Sequence, residues 1–215
     1  MALTSSIALT LAVVGFVVGL LVAEWRHEPR AAFVCKTFAS VGFVALGFLH
    51  RGEEDGALGA YLVLGLVLAA GGDVALAVRG ERSFLVGLGL FLLGHLAYVL
   101  AFASVVPRSG WTSPLGLVPV VFTAGAYFWL SRRLGSMRVP VILYMATITG
   151  MVVAALAVLE HGDRGAPLLF GGAVLFYASD LSVARDRFVA PGFANKAWGL
   201  PAYYAGQLLL AWALR

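Results

Sequence analysis

An all-α polytopic membrane protein with eight transmembrane helices is the fold class this sequence predicts, and three observations carry the prediction. The chain has 215 residues, of which 61% are hydrophobic and only 12% charged, and its mean hydropathy is +0.93, far from the balance of a soluble domain. Its apolar runs are about 17 to 22 residues long, the length a helix needs to cross the hydrocarbon core at 1.5 Å per residue. All five tryptophans, Trp25, Trp111, Trp129, Trp198 and Trp212, fall near the ends of those runs, where aromatic rings sit at the membrane interface.

The first run, 3–23, follows "MALTSS", which lacks the basic n-region of a signal peptide, and it is long for an h-region, so it is expected to be retained as a helix. The second, 31–50, opens after Pro29, carries Lys36 and stops at "HRGEEDG". The third, 57–78, contains "LAAGGDVALAVRGER", with Asp73 inside it and arginines at its end. The fourth, 84–105, contains "FLLGHLAYVLAF", with His95 and Tyr98. The fifth, 114–131, is closed by Arg132 and Arg133, and the sixth, 138–159, by "EHGDRGAP". The seventh, 167–185, holds Ser179 and Asp180, and the eighth, 198–214, holds Tyr203, Tyr204 and Gln207 in "AYYAGQLLLAW". Connections this short leave no soluble domain, so residues 1–215 read as a single integral membrane domain.

Basic residues set the expected orientation. The odd-numbered connections hold Arg26, Arg30, Arg79, Arg82, Arg132, Arg133, Arg138, Arg185, Arg187 and Lys196, with Lys36 close by, whereas the even-numbered ones and the C-terminus hold Arg51, Arg108, Arg164 and Arg215. The positive-inside rule then places the odd connections in the cytoplasm and both termini outside.

That orientation sharpens the meaning of two acids. A charge near the centre of a membrane helix costs roughly 2.5 to 3.5 kcal/mol on insertion scales, so such residues are few and line cavities or pathways. Asp73 lies six residues before Arg79 and Asp180 five before Arg185, on helices that both run inward. At 1.5 Å per residue the two carboxylates sit at one depth, about 8 to 9 Å below the arginines. Lys36 reaches a similar depth, and His95 and Gln207 sit somewhat deeper, so a polar cavity opening to the inner leaflet would use all five. Each has a structural alternative. Either aspartate can pair with Lys36 or a helix-end arginine, Lys36 can snorkel to the headgroups, His95 can bond a backbone carbonyl, and Gln207 can make an interhelical hydrogen bond.

Several function classes are excluded. The one cysteine, Cys35, gives neither a disulfide framework nor a Cys/His metal spacing, so no metal or cofactor is expected. The net charge of +4 is spread over short loops, which speaks against a nucleic-acid partner and for the lipid bilayer. Nothing in the sequence specifies an oligomer. The Gly pairs at 71–72 and 171–172 read as close-packing positions between helices, not a phosphate loop. Their similar placement, with acid, arginines, then polar residue and tyrosine following in each half, raises a weak four-plus-four parallel repeat.

The segments "GGDVALAV" and "FLLGHLAYVLAF", with "VLFYASDLSVA" and a final "YYAGQLLLAW", resemble the YhhN family of membrane proteins, whose characterised members are lysoplasmalogenases. The resemblance runs from Lys36 to Gln207, through short motifs whose order is what distinguishes them. It implies that Asp73 of the GD motif and Asp180 of the SD motif are the catalytic pair, with Lys36, His95, Tyr98, Tyr203, Tyr204 and Gln207 binding substrate or supporting it. It implies an ether hydrolase that cleaves the vinyl ether of a lysophospholipid to a fatty aldehyde and a glycerophospho-alcohol. Two carboxylates suit that reaction, since one must give a proton to the alkene while the other takes one from water. The phosphate of such a lipid would lie near the cytoplasmic arginines, headgroup selection would be loose, and the expected location is the bacterial plasma membrane. The competing reading is a proton-coupled carrier using the same acids.

Overall fold

The computed structural model describes residues 2–78, 80–162 and 165–215, with the backbone alone at Ala2 and Arg108. Eight α-helices are present among the described residues: α1 Ala2–Trp25, α2 Pro29–His50, α3 Gly56–Ala77, α4 Glu81–Ala103, α5 Leu117–Ser131, α6 Arg138–His161, α7 Ala166–Phe188 and α8 Phe193–Trp212. A chain in hydrocarbon must satisfy its backbone hydrogen bonds internally, and helices do so segment by segment. Local chemistry sets the ends. Pro29 and Pro167 sit in the first turns of α2 and α7, where a missing N–H costs nothing. Gly162, at φ 82°, closes α6 in the left-handed conformation.

Each expected span is met by a helix, with two differences that bear on the site. α7 runs on to Phe188, so Arg185 and Arg187 belong to its last turn. α8 starts at Phe193, five residues before the expected start at 198, so Pro201 lies inside the helix rather than near its beginning. Interior proline leaves the carbonyl four residues back without its usual donor.

Among the described residues seven helical spans are long and apolar enough to cross a membrane, α1 to α4, α6, α7, and α5 together with the turn that precedes it from Pro114, and the protein is an integral membrane protein. α8 falls outside that set because Asn195, Lys196, Tyr203, Tyr204 and Gln207 dilute its apolar character. It lies in the middle of the bundle, packed most extensively on α7 and also on α2, α1 and α3. α5 is its opposite, resting mainly on α6 with Val121 70% and Phe128 73% exposed, as suits a helix facing lipid.

The odd-numbered connections gather at one end of the bundle. Glu24 of α1 bonds Lys196 of α8, Arg187 of α7 lies over Phe84 of α4, and Leu130, Val141 and Phe188 join α5, α6 and α7. This is the basic end; Arg79 and Arg164, which the charge reading also used, lie outside the described residues. At the far end His50 of α2 joins Ser6 of α1 to the Ala211 carbonyl of α8.

Glycines set the two tightest helix pairs. A Cβ on Gly72 would come within 2.8 Å of the Phe91 ring, and one on Gly172 or Gly206 within 2.9 Å of the other's carbonyl oxygen. The expected close packing at the Gly pairs is therefore met in the α3–α4 and α7–α8 contacts, which fix how each acid-bearing helix is turned about its axis.

Candidate active site

Asp73 comes from α3 and is only 2% exposed. Its Oδ2 accepts hydrogen bonds from Ser40 Oγ at 2.6 Å and from Tyr203 OH at 2.7 Å. Lys36 Nζ stands 3.7 Å from the other oxygen, so the lysine pairs with the acid rather than leaving for the headgroups. Tyr204 supports the group from behind, its hydroxyl 3.2 Å from Ser40 Oγ and donating to the Lys36 carbonyl at 3.3 Å. Two helices, α2 and α8, thus direct donors at one carboxylate of a third, the arrangement that offsets desolvation of a buried charge.

Asp180 of α7 is more open, its side chain 18% exposed. Tyr144 OH of α6 donates to Oδ2 at 2.8 Å, and His95 Nε2 of α4 lies 3.5 Å from the same oxygen. Neither imidazole nitrogen has a partner at strict hydrogen-bonding geometry among the described residues, and the one backbone group that interacts with the ring is that of Phe91, one turn earlier on α4. Ser179, beside the acid in sequence, turns away to the Phe176 carbonyl.

A cavity of about 540 Å³ has Asp73, Asp180, Lys36 and Tyr203 in its wall, with Tyr144, Tyr177, Phe91 and Leu88 between them and Arg187, Lys196 and Glu24 toward the basic end. The expectation that His95 and Gln207 would share this wall is corrected. His95 is fully buried behind it, against Phe176 at 4.3 Å between ring centroids and Tyr144 at 5.2 Å. Gln207 accepts from Tyr98 OH at 2.7 Å in a pair bonded to neither aspartate, and its amide nitrogen has no hydrogen-bond partner among the described residues. The reason is helix rotation, since residues at one depth need not face one space. Phe176 connects the two acid clusters, in contact with His95 on one side and with Tyr203 at 5.3 Å on the other.

The mouth is charged, and most of its charged side chains have a hydrogen-bond partner. Lys196 bonds Glu24 at 2.6 Å, Arg185 bonds the side chain of Asn195, and Asp186 Oδ1 accepts from Gly192 N at 2.9 Å and Asn195 Nδ2 at 2.8 Å. Arg187 lies 4.5 Å from the Phe84 ring centroid. Among the described residues no three His, Cys, Asp or Glu side chains converge to hold a metal ion.

Sequence reasoning missed Ser40, Tyr144 and the polar triad of Thr123, Thr149 and Tyr177, whose hydroxyls stand 2.6 and 2.7 Å apart beside the cavity. Two signals were present. Ser40 lies four residues after Lys36, on the same helix face, and Tyr144 lies six after Arg138 on an outward-running helix, at the depth already assigned to Asp180.

The sequence model of the YhhN family matches residues 31–214. Lysoplasmalogenase TMEM86A of Bos taurus is 32% identical over 159 residues, 70% of this chain and 63% of its own length. The lysoplasmalogenase of Mycobacterium tuberculosis is 31% identical over 162 residues, 70% of this chain and 58% of its own. Human lysoplasmalogenase TMEM86B is 30% identical over 189 residues, 86% and 77% respectively. The match therefore spans less than two thirds of the bovine and mycobacterial relatives. No solved structure matches.

Proposed function

The chain belongs to the YhhN family, and from that premise we propose that it hydrolyses the vinyl ether of lysoplasmalogens in the cavity between Asp73 and Asp180. The observation that carries the reading is that both carboxylates, from helices of separate halves, stand in the wall of one cavity that leads to a basic mouth. A single-chain lipid fits such a space with its tail among the apolar walls and its head at the basic mouth. By the positive-inside rule the mouth is cytoplasmic, with both termini on the other face of a bacterial plasma membrane.

Roles follow from the donors around each acid. Asp73 faces a hydroxyl, a phenol and an ammonium, all donors, and so acts as the acceptor. Asp180 has one phenolic donor and a free carboxyl edge toward the cavity, and so is the proton carrier. Asp180 gives its proton to the distal alkene carbon, and the remaining carbon–oxygen unit becomes an oxocarbenium ion. Water adds to that carbon as Asp73 takes its proton, giving a hemiacetal. Asp73 then returns the proton to the glycerol oxygen while Asp180 accepts the hemiacetal hydroxyl proton. The carbon–oxygen bond breaks, aldehyde and glycerophospho-alcohol leave, and both acids regain their starting states.

The test is aldehyde release from lysoplasmalogen by purified protein in detergent, with no gradient present. Turnover there supports hydrolysis. Inactivity in detergent, with substrate-coupled proton uptake only in sealed vesicles, would replace the hydrolase by a carrier.

A further inference from the structure

We infer that Arg187, held over the Phe84 ring at the mouth of the cavity, binds the phosphate of a single-chain phospholipid whose tail lies toward Asp180. The inference rests on the proposed lysolipid substrate and adds the residue that holds its head.

Three cationic side chains line the cavity, Lys36, Lys196 and Arg187. Lys36 is opposite Asp73 and Lys196 is bonded to Glu24. Arg187 alone of the three has no carboxylate and no hydrogen bond among the described residues. Arg185, its neighbour in sequence, is held by Asn195 and is absent from the cavity wall. The nearest acid in sequence, Asp186, is already turned to Gly192 N and Asn195. The guanidinium carbon lies over the Phe84 ring, 4.5 Å from its centroid. A cation–π contact of this kind uses none of the guanidinium's five N–H donors, whose fork suits phosphate oxygens.

The spacing also matches the ligand. Asp180 and Arg187 are seven residues apart on α7, about 10.5 Å along the axis and within roughly 20° of one another around it. In a lysoplasmalogen seven bonds separate the distal alkene carbon from phosphorus, about 8 to 9 Å when extended, taking ordinary single-bond lengths near 1.5 Å. A phosphate on the Arg187 fork therefore sets the alkene near Asp180. Because the contact is to phosphate, choline and ethanolamine heads fit equally.

Binding tests this without turnover. Wild type, Arg187→Gln and Arg187→Lys, in dodecyl maltoside, are titrated with a saturated 1-O-alkyl lysophosphocholine, which has no vinyl ether to cleave, and with the 1-O-alkylglycerol of the same tail. Arg187→Gln is expected to weaken the phospholipid about tenfold and the alkylglycerol by less than about twofold, with Arg187→Lys intermediate. Wild-type affinity for the phospholipid alone should fall as salt rises, a readout that needs no variant. Equal weakening of both lipids, or none, overturns the inference. Displacement of the lipid by millimolar inorganic phosphate would make the residue a free-anion site and also overturn it. Intact phosphate-dependent binding without vinyl ether hydrolysis would remove the proposed reaction and leave Arg187 as the head-group residue.

Discussion

Asp73 and Asp180 are the same residue type in the wall of the same cavity, yet the protein treats them differently. Asp73 is nearly sealed and receives donors from α2 and α8, whereas Asp180 is partly open and receives one phenol, with the His95 imidazole 3.5 Å away. A buried carboxylate surrounded by donors is held in place and in charge state, because moving it would orphan several polar groups together. One with a single donor keeps an edge free to exchange a proton. Symmetry of sequence context, GD on one helix and SD on another, hides this asymmetry of surroundings.

The largest expected effect tests whether both acids act at all. Asp73→Asn and Asp180→Asn each keep the shape and remove the titrating group, and each is expected to lower aldehyde release about 10² to 10⁴-fold. The double variant should be little slower than the slower single one, since residues acting as a unit are not additive. Full activity in either single variant would break the pairing.

Stability separates the two clusters next. Asp73→Asn leaves Lys36 without its counter-charge and turns an amide N–H₂ toward existing donors, so it should cost about 1 to 3 kcal/mol and lower the melting temperature. Asp180→Asn should change it little or raise it, because a desolvated acid is removed and no cation is stranded. Equal melting temperatures in detergent would erase the distinction between the two clusters.

A smaller effect should appear in the phenols. Tyr144→Phe removes the one hydroxyl bonded to Asp180, while Tyr203→Phe leaves Asp73 with Ser40 and Lys36. A hydrogen bond is worth about 0.5 to 1.5 kcal/mol net, so turnover should fall roughly two- to tenfold in Tyr144→Phe and less in Tyr203→Phe. The reverse order of kcat would exchange the roles.

The smallest effect belongs to the pair bonded to neither acid. Tyr98→Phe with Gln207→Leu removes both partners together instead of orphaning one, and turnover should stay within about twofold of wild type. A tenfold loss of kcat with unchanged melting temperature would bring that pair into the chemistry.

The sequence by itself determined the number of helices and their ends to within about five residues, and with them how far along its helix each of Asp73 and Asp180 lies from the charged end. It could do so because hydrocarbon thickness fixes the length of each apolar run and the demand for internal backbone hydrogen bonds leaves helix as the solution. Depth is a one-dimensional quantity, readable by counting residues from a charged end. Rotation about each helix axis is not, because lipid and protein interior are equally apolar and the hydropathy pattern carries little record of which face meets which. Only the tertiary structure decided that Tyr144 and His95 face Asp180, that Ser40 and Tyr203 face Asp73, and that Gln207 faces Tyr98. The contacts that decided it are steric, Gly72 against the Phe91 ring and Gly172 against Gly206, where close approach of two helices admits one rotation of each.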